Sequence, residues 1–104
     1  ERLRLPVEHV LAGVEGSTVD SVETVTSHPA ALKQCDRFLS RLPGCRTVIG
    51  ADTATSVREM AKSRNACAAA IGSRRAAEIY GAAVLAENIA DMKGNWTEFI
   101  LIGN

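Results

Sequence analysis

Val22-Glu23-Thr24-Val25-Thr26-Ser27-His28-Pro29-Ala30-Ala31-Leu32-Lys33-Gln34-Cys35 changes its hydrophobic period midway. Val22 to Thr26 alternates apolar with polar residues, the two-residue period of a strand that turns one face to a core. After Pro29 the period lengthens, and Ala31, Leu32, Cys35, Phe38, Leu39 and Leu42 fall on one face of a helix. Pro29 carries a φ already suited to a first helical turn, and Pro43-Gly44 closes the segment. A strand that feeds directly into a helix is the opening of an α/β unit.

The alternation continues in both directions. Upstream, residues 4–12 read as a strand with Pro6 near its start, where no ladder N–H is needed, followed by a polar turn over 13–20. Downstream, residues 45–51 form a strand, and Asp52 or Thr53 caps a helix whose buried stripe is Ala54, Val57, Met60 and Ala61. Residues 66–71 are small and apolar, as suits a central strand covered on both faces. Ser73 caps a short helix through Tyr80 that Gly81 terminates. Residues 84–86 and 98–102 are the last strands. The order β, β, α, β, α, β, α, β, β predicts an α/β fold, a layered sheet with helices on both faces and right-handed crossovers. The chain contains no internal repeat and no low-complexity tract.

Its 104 residues make one small domain or one lobe of a larger one. Aromatic residues are only 4% of the chain, so the core must come from Ala, Val, Leu and Ile. Each half carries six basic and six acidic side chains, which leaves no broad basic face for a phosphate backbone and argues against a nucleic-acid partner. No apolar run is long enough to cross a membrane. Cys35, Cys45 and Cys67 are odd in number and lack C-x-x-C spacing, so no metal is expected and thiols in a reducing compartment are the better reading. The absence of an obvious signal peptide and of a methionine before Glu1 suggests a cytoplasmic protein and a fragment or processed product.

In an α/β sheet, ligands collect beyond the carboxyl ends of strands, against helix starts. Three strand-to-helix junctions carry hydroxyls: Thr26-Ser27-His28, Asp52-Thr53 and Ser73. Exposed helix amides there attract carboxylates and phosphates. Singly, each residue is more simply a helix cap. A fourth hydroxyl, Thr97, stands in a polar turn that runs into the last strand.

These segments together resemble the prephenate dehydratase family. Ser27-His28-Pro29, Leu32, Gln34-Cys35 and Phe38-Leu39 are similar to its S-H-P-Q-A-L-x-Q-C-x-x-F-L signature. Asp52-Thr53-Ala54 resembles its S-T-A helix start, and Ala69-Ala70-Ile71-Gly72-Ser73 its A-A-I-x-S strand. Ala77-Glu78-Ile79-Tyr80-Gly81 resembles its A-x-x-Y-G turn, and Leu85-Ala86-Glu87-Asn88-Ile89-Ala90-Asp91 its L-A-E-N-I-E-D segment. Asn95-Trp96-Thr97-Glu98-Phe99 stands where the family has N-x-T-R-F. The likeness covers nearly the whole chain in order.

The resemblance implies a fold of two α/β lobes, similar to a periplasmic binding protein, with the substrate in the cleft. Residues 1–104 would be a partial domain, the second lobe plus a returning strand, with a missing first lobe as its partner. It implies decarboxylation and dehydration of prephenate to phenylpyruvate in phenylalanine biosynthesis, or the equivalent reaction of arogenate, with no cofactor. By the same likeness Thr97 is the catalytic hydroxyl, and Ser27, His28, Gln34, Thr53 and Phe99 line the substrate site. From the residues alone, Gln34 reads equally well as a surface amide, His28 as a structural residue tying strand end to helix start, and Thr53 as a helix cap. His9 shows no partner in the sequence. The implied compartment is cytoplasmic, or the plastid stroma in a plant, and a homodimer is the default assembly.

Two departures weigh on this. Ala30 replaces a Gln, and Glu98 replaces the Arg of the threonine motif, a two-unit change of charge near a site for a dicarboxylate. Weak or absent activity is expected for the chain as it stands. The alternative is a non-catalytic small-molecule-binding or interaction lobe that kept the scaffold.

Overall fold

A computed structural model describes residues 9–42 and 44–90, and the backbone alone of residues 100–101. The first strand, β1 (Val10–Gly13), is followed by a short 3-10 turn at Val19–Ser21, then by β2 (Thr24–Ser27), α1 (Pro29–Gln34) and α2 (Asp36–Leu39). Next come β3 (Arg46–Ile49), α3 (Thr53–Ser63), β4 (Ala68–Gly72), α4 (Arg74–Ile79), β5 (Ala83–Glu87) and β6 (Ile100–Leu101). The six strands form one sheet in the order β3-β2-β4-β1-β5-β6.

The sheet is mixed. β2 pairs in parallel with both β3 and β4, whereas β1 runs antiparallel to β4 and β5, and β6 antiparallel to β5. Helices cover both faces, as expected. On one face α1 and α2 bring Ala31, Cys35 and Phe38 onto Leu11, Val25, Ala69, Ile71 and Leu85. On the other, Val57 and Met60 of α3 and Ala76 and Ala77 of α4 pack on Ala12 and Ala70. Consecutive residues of β1 and β4 thus serve opposite layers, the period-two consequence of a pleated strand. The small-residue segment around Ala69–Ile71 is the central strand that its composition predicted, fully buried between two helical layers.

Three local expectations are corrected. The helix expected from Pro29 to Leu42 breaks at Cys35, whose backbone (φ −112°, ψ 25°) leaves the helical region. Its N–H is shared among the carbonyls of Ala31, Leu32 and Lys33, and a second short helix begins at Asp36. The α3 stripe is rotated from the one expected: Ala54 is exposed, and Ser56 takes the inward place beside Val57 and Met60. The hydroxyl of Ser56 makes this burial tolerable by donating to the Asp52 carbonyl at 2.7 Å, one turn back. Gly13, expected in a turn, ends β1, where an added Cβ would lie 2.6 Å from Leu85 Cδ1. The expected strand segments 4–8, 98–99 and 102 lie outside the described residues, as does Pro43.

Gly72 marks a close approach between sheet and helix. A Cβ there would fall 2.6 Å from Cγ2 of the fully buried Val57 and 3.4 Å from the Thr53 carbonyl oxygen. A β-branched side chain held between two layers has no alternative rotamer to offer. Gly72→Ala is therefore expected to destabilise by about 1–3 kcal/mol through overpacking, read as a lower urea midpoint. An unchanged midpoint would show that α3 yields freely.

Candidate functional site

Parallel pairing brings the carboxyl ends of β3, β2 and β4 to one rim. The helices that follow them, α3, α1 and α4, therefore all start there. α1 leaves toward one face of the sheet and α3 and α4 toward the other. The end of β2 thus stands between two strands whose helices depart on the opposite side, the arrangement that opens a crevice in α/β sheets. Ser27 is the last residue of β2 and lies at its centre. The antiparallel strands add to the rim: Val10 pairs with both Gly72 and Glu87, and Glu87 with Ile100. The residue ahead of Val10, His9, is therefore beside the rim, as is the start of the described part of β6.

Ser27 is completely buried, and its hydroxyl donates to the Ile71 carbonyl at 2.7 Å, tying the ends of β2 and β4 together. Its oxygen lone pairs are the part of it left to accept. His28 is exposed at the start of α1, where Nδ1 accepts from the Ala30 N–H at 3.0 Å. Asp52, not Thr53, caps α3: Oδ1 accepts from the Thr55 N–H at 2.7 Å and Oδ2 from the Thr55 hydroxyl at 3.0 Å. The Thr55 backbone N–H, then its hydroxyl, hold the Asp52 carboxyl below its ordinary range. Thr53 is half-buried in the first turn of α3. Ser73 caps α4, accepting from the Ala76 N–H at 3.0 Å.

Each helix start therefore has one amide occupied by the chain's own cap, supplied by His28, Asp52 and Ser73, whereas Ser27 and Thr53, each read singly as a cap, do not serve as one. Amides such as those of Ala31 in α1 or Ala54 in α3 lie in the same first turns. α3 is the longest of the helices, and its dipole favours negative charge at this end.

Two features of the rim escaped sequence reasoning. Arg74, in the first turn of α4, forms an ion pair with Glu87 at the end of β5. His9, which had no partner in sequence, places Nε2 2.7 Å from Oε1 of Gln34. The signal for the second was strand parity: His9 shares a face with Leu11, which packs in the same cluster as Ala31 of α1. Thr97, Glu98 and Phe99 lie outside the described residues.

A cleft of about 560 Å³ lies at the other end of the sheet, lined by Val14, Glu15, Ala61, Arg64, Tyr80 and Gly81. It is bounded by the carboxyl ends of α3 and α4, and none of the sequence-predicted site residues among the described ones lines it. Among the described residues no three His, Cys, Asp or Glu side chains gather to hold a metal ion.

Comparison with known proteins converges on one family. The family model for prephenate dehydratase matches residues 1–104. Over 102 residues the chain is 41% identical to arogenate dehydratase/prephenate dehydratase 1, chloroplastic, of Arabidopsis thaliana, covering 98% of this chain and 26% of the relative. Among solved structures, the prephenate dehydratase of Arthrobacter aurescens in complex with L-Phe is similar with a TM-score of 0.78 and 30% identity, over 93% of this chain and 33% of that one. GqqA, a quorum-quenching acylase, is similar with a TM-score of 0.80 and 31% identity, over 84% of this chain and 32% of that one. The chain spans about a quarter to a third of the length of these relatives.

Proposed function

This chain belongs to the prephenate dehydratase family, and from that premise we propose that it acts as the second lobe, with its returning strand, of a prephenate or arogenate dehydratase. The observation that carries this reading is the meeting of three capped helix starts around Ser27, at a rim where Glu87 of β5 pairs with the first described residue of β6. Such a rim supplies backbone amides to carboxylates, and the substrate presents two. The opposite half of the cleft is proposed to come from a first lobe.

Prephenate plus one proton gives phenylpyruvate, carbon dioxide and water. The bond from the ring to its carboxylate breaks, and its electron pair enters the ring. The ring C–O bond breaks in turn, and the departing hydroxyl leaves as water. Restored aromaticity drives the step, so the protein's work is to hold the carboxylates and stabilise the leaving oxygen. Ser27, His28, Gln34, Thr53 and Phe99 are proposed to surround the substrate, with Thr97 against the leaving oxygen as proton donor or hydrogen-bond donor. None of these steps requires a cofactor.

Phenylpyruvate formation from prephenate by the full-length protein tests the reading. The absence of both turnover and prephenate binding would remove it. The acylase neighbour makes an acyl amide the necessary control: cleavage of the amide with no action on prephenate would move the chain to that branch. Cytoplasm, or plastid stroma in a plant, is the compartment proposed. Cys35, Cys45 and Cys67 are all unbridged thiols, in keeping with it, and one relative carries the description chloroplastic. A homodimer is proposed as the assembly, supported by the edge strand β3, where Val48 and Ile49 are exposed.

Glu98 offers a sharper discrimination. A unit charge about 8 Å from a carboxylate contributes roughly 2 kcal/mol at an effective dielectric of ~20. Glu98→Arg in the full-length protein is expected to raise kcat/KM for prephenate by roughly thirtyfold or more. No gain, with intact folding, would instead favour a binding lobe that has lost the reaction.

A further inference from the structure

We infer that His9 is a positioning residue, whose imidazole locks the Gln34 side-chain amide so that its NH2 group, and not its carbonyl, faces the rim. The inference rests on the proposal above that this rim receives a dicarboxylate.

His9 is only 6% exposed. Its Nε2 lies 2.7 Å from Gln34 Oε1, at the short end of the range for an N–H···O bond. Its Nδ1 is buried and has no hydrogen-bond partner among the described residues. Only two neutral arrangements fit such a pair. In the first, Nε2–H donates to Oε1, and the unpaired Nδ1 holds a lone pair. In the second, the amide is turned about, its NH2 donates to a bare Nε2, and the ring proton sits on Nδ1 with no acceptor. A neutral imidazole has one donor and one acceptor nitrogen, so no third neutral choice exists. Buried N–H groups without an acceptor are rarer and costlier than under-used acceptors. A doubly protonated ring would leave the same orphan donor and bury a charge as well. The orphaned nitrogen therefore selects the first arrangement.

The consequence falls on Gln34. Its side chain is exposed, at the last turn of α1, and helical side chains lean back toward the helix start. With Oε1 engaged by the imidazole, the NH2 group is left as the donor available to a ligand. Before an anion arrives, an unrestrained surface glutamine presents its carbonyl about as readily as its NH2 and must turn to bind it. The buried imidazole removes that ambiguity and sets two donors toward an anion, the polarity that a carboxylate demands.

The test uses the full-length protein. Loss of the lock should weaken ground-state binding and leave the chemical step alone. His9→Leu is expected to raise KM for prephenate about tenfold while changing kcat less than about twofold. His9→Gln, which places an amide donor where Nε2 stood, is expected to recover most of that loss. Long-range 15N–1H correlation on the unsubstituted protein at neutral pH is expected to find the proton on Nε2 and a bare Nδ1. A proton on Nδ1, an unchanged KM in His9→Leu, or a His9→Gln variant no better than His9→Leu would overturn the inference. A protein that turns over no prephenate would remove the dehydratase reading separately, and the position of the ring proton would then decide the orientation of Gln34 alone.

Discussion

Thr97→Val in the full-length protein is expected to lower kcat for prephenate by about 10²–10⁴-fold, the range lost with a group that gives a proton or its equivalent in the transition state. That range corresponds to roughly 3–5 kcal/mol of barrier. Thr97 is assigned by the likeness of Asn95-Trp96-Thr97-Glu98-Phe99 to the family's threonine motif, three residues ahead of Ile100, which pairs with Glu87 at the rim. Ground-state prephenate carries a neutral hydroxyl, and negative charge grows on that oxygen only as its bond to the ring breaks. A donor aimed there gains strength in the transition state alone, so kcat and kcat/KM should fall together with KM little changed. Valine matches threonine in shape and lacks only the hydroxyl, and Thr97→Ser should restore much of the rate. A Thr97→Val enzyme within about threefold of the parent kcat would rule this residue out of the chemical step.

Local pattern was enough for much of the scaffold. The change of period at Pro29, the capping residue Ser73 and the small-residue run through Ala69–Ile71 each have a local physical cause, and each led to the element found. Where neighbours far apart in the chain decide the outcome, pattern failed. Ala54 and Ser56 are both small, and only the docking of α3 on β4 and β2 chooses which faces inward. Cys35 continues an apolar stripe without a break, so nothing local announces that the helix is interrupted there.

The candidate site divides in the same way. That three helix starts share a rim follows from parallel pairing, which alternating strands and helices lead one to expect. The bond from Ser27 to Ile71 depends on β2 and β4 being neighbours, although β3 intervenes in sequence. The pair His9 and Gln34 depends on β1 running antiparallel beside β4, a register absent from any window of sequence. Both pairs set how polar groups are presented at the rim, so the finer chemistry of the site is a product of strand order more than of motif.

The largest effect on stability is expected from Phe38→Ala. Phe38 is 1% exposed and, among the described residues, is the largest of the fully buried side chains, in a cluster whose other described members are Val, Ile, Leu, Ala and Cys. Truncation to alanine is expected to cost about 3–5 kcal/mol, transfer and cavity together. Domains of this kind have roughly 5–15 kcal/mol in all, so the substitution should bring the fold close to its limit. Phe38→Leu refills most of the space and should cost much less. The loss should also reach the rim, because Phe38 holds α2 to the sheet and α2 continues from the helix that carries His28 and Gln34. Urea unfolding of the two variants beside the parent measures the first effect, and prephenate affinity at low denaturant the second. A Phe38→Ala protein less than about 1 kcal/mol below the parent would mean that the α1–α2 layer can collapse around the missing ring, and that the rim does not depend on this residue for its shape.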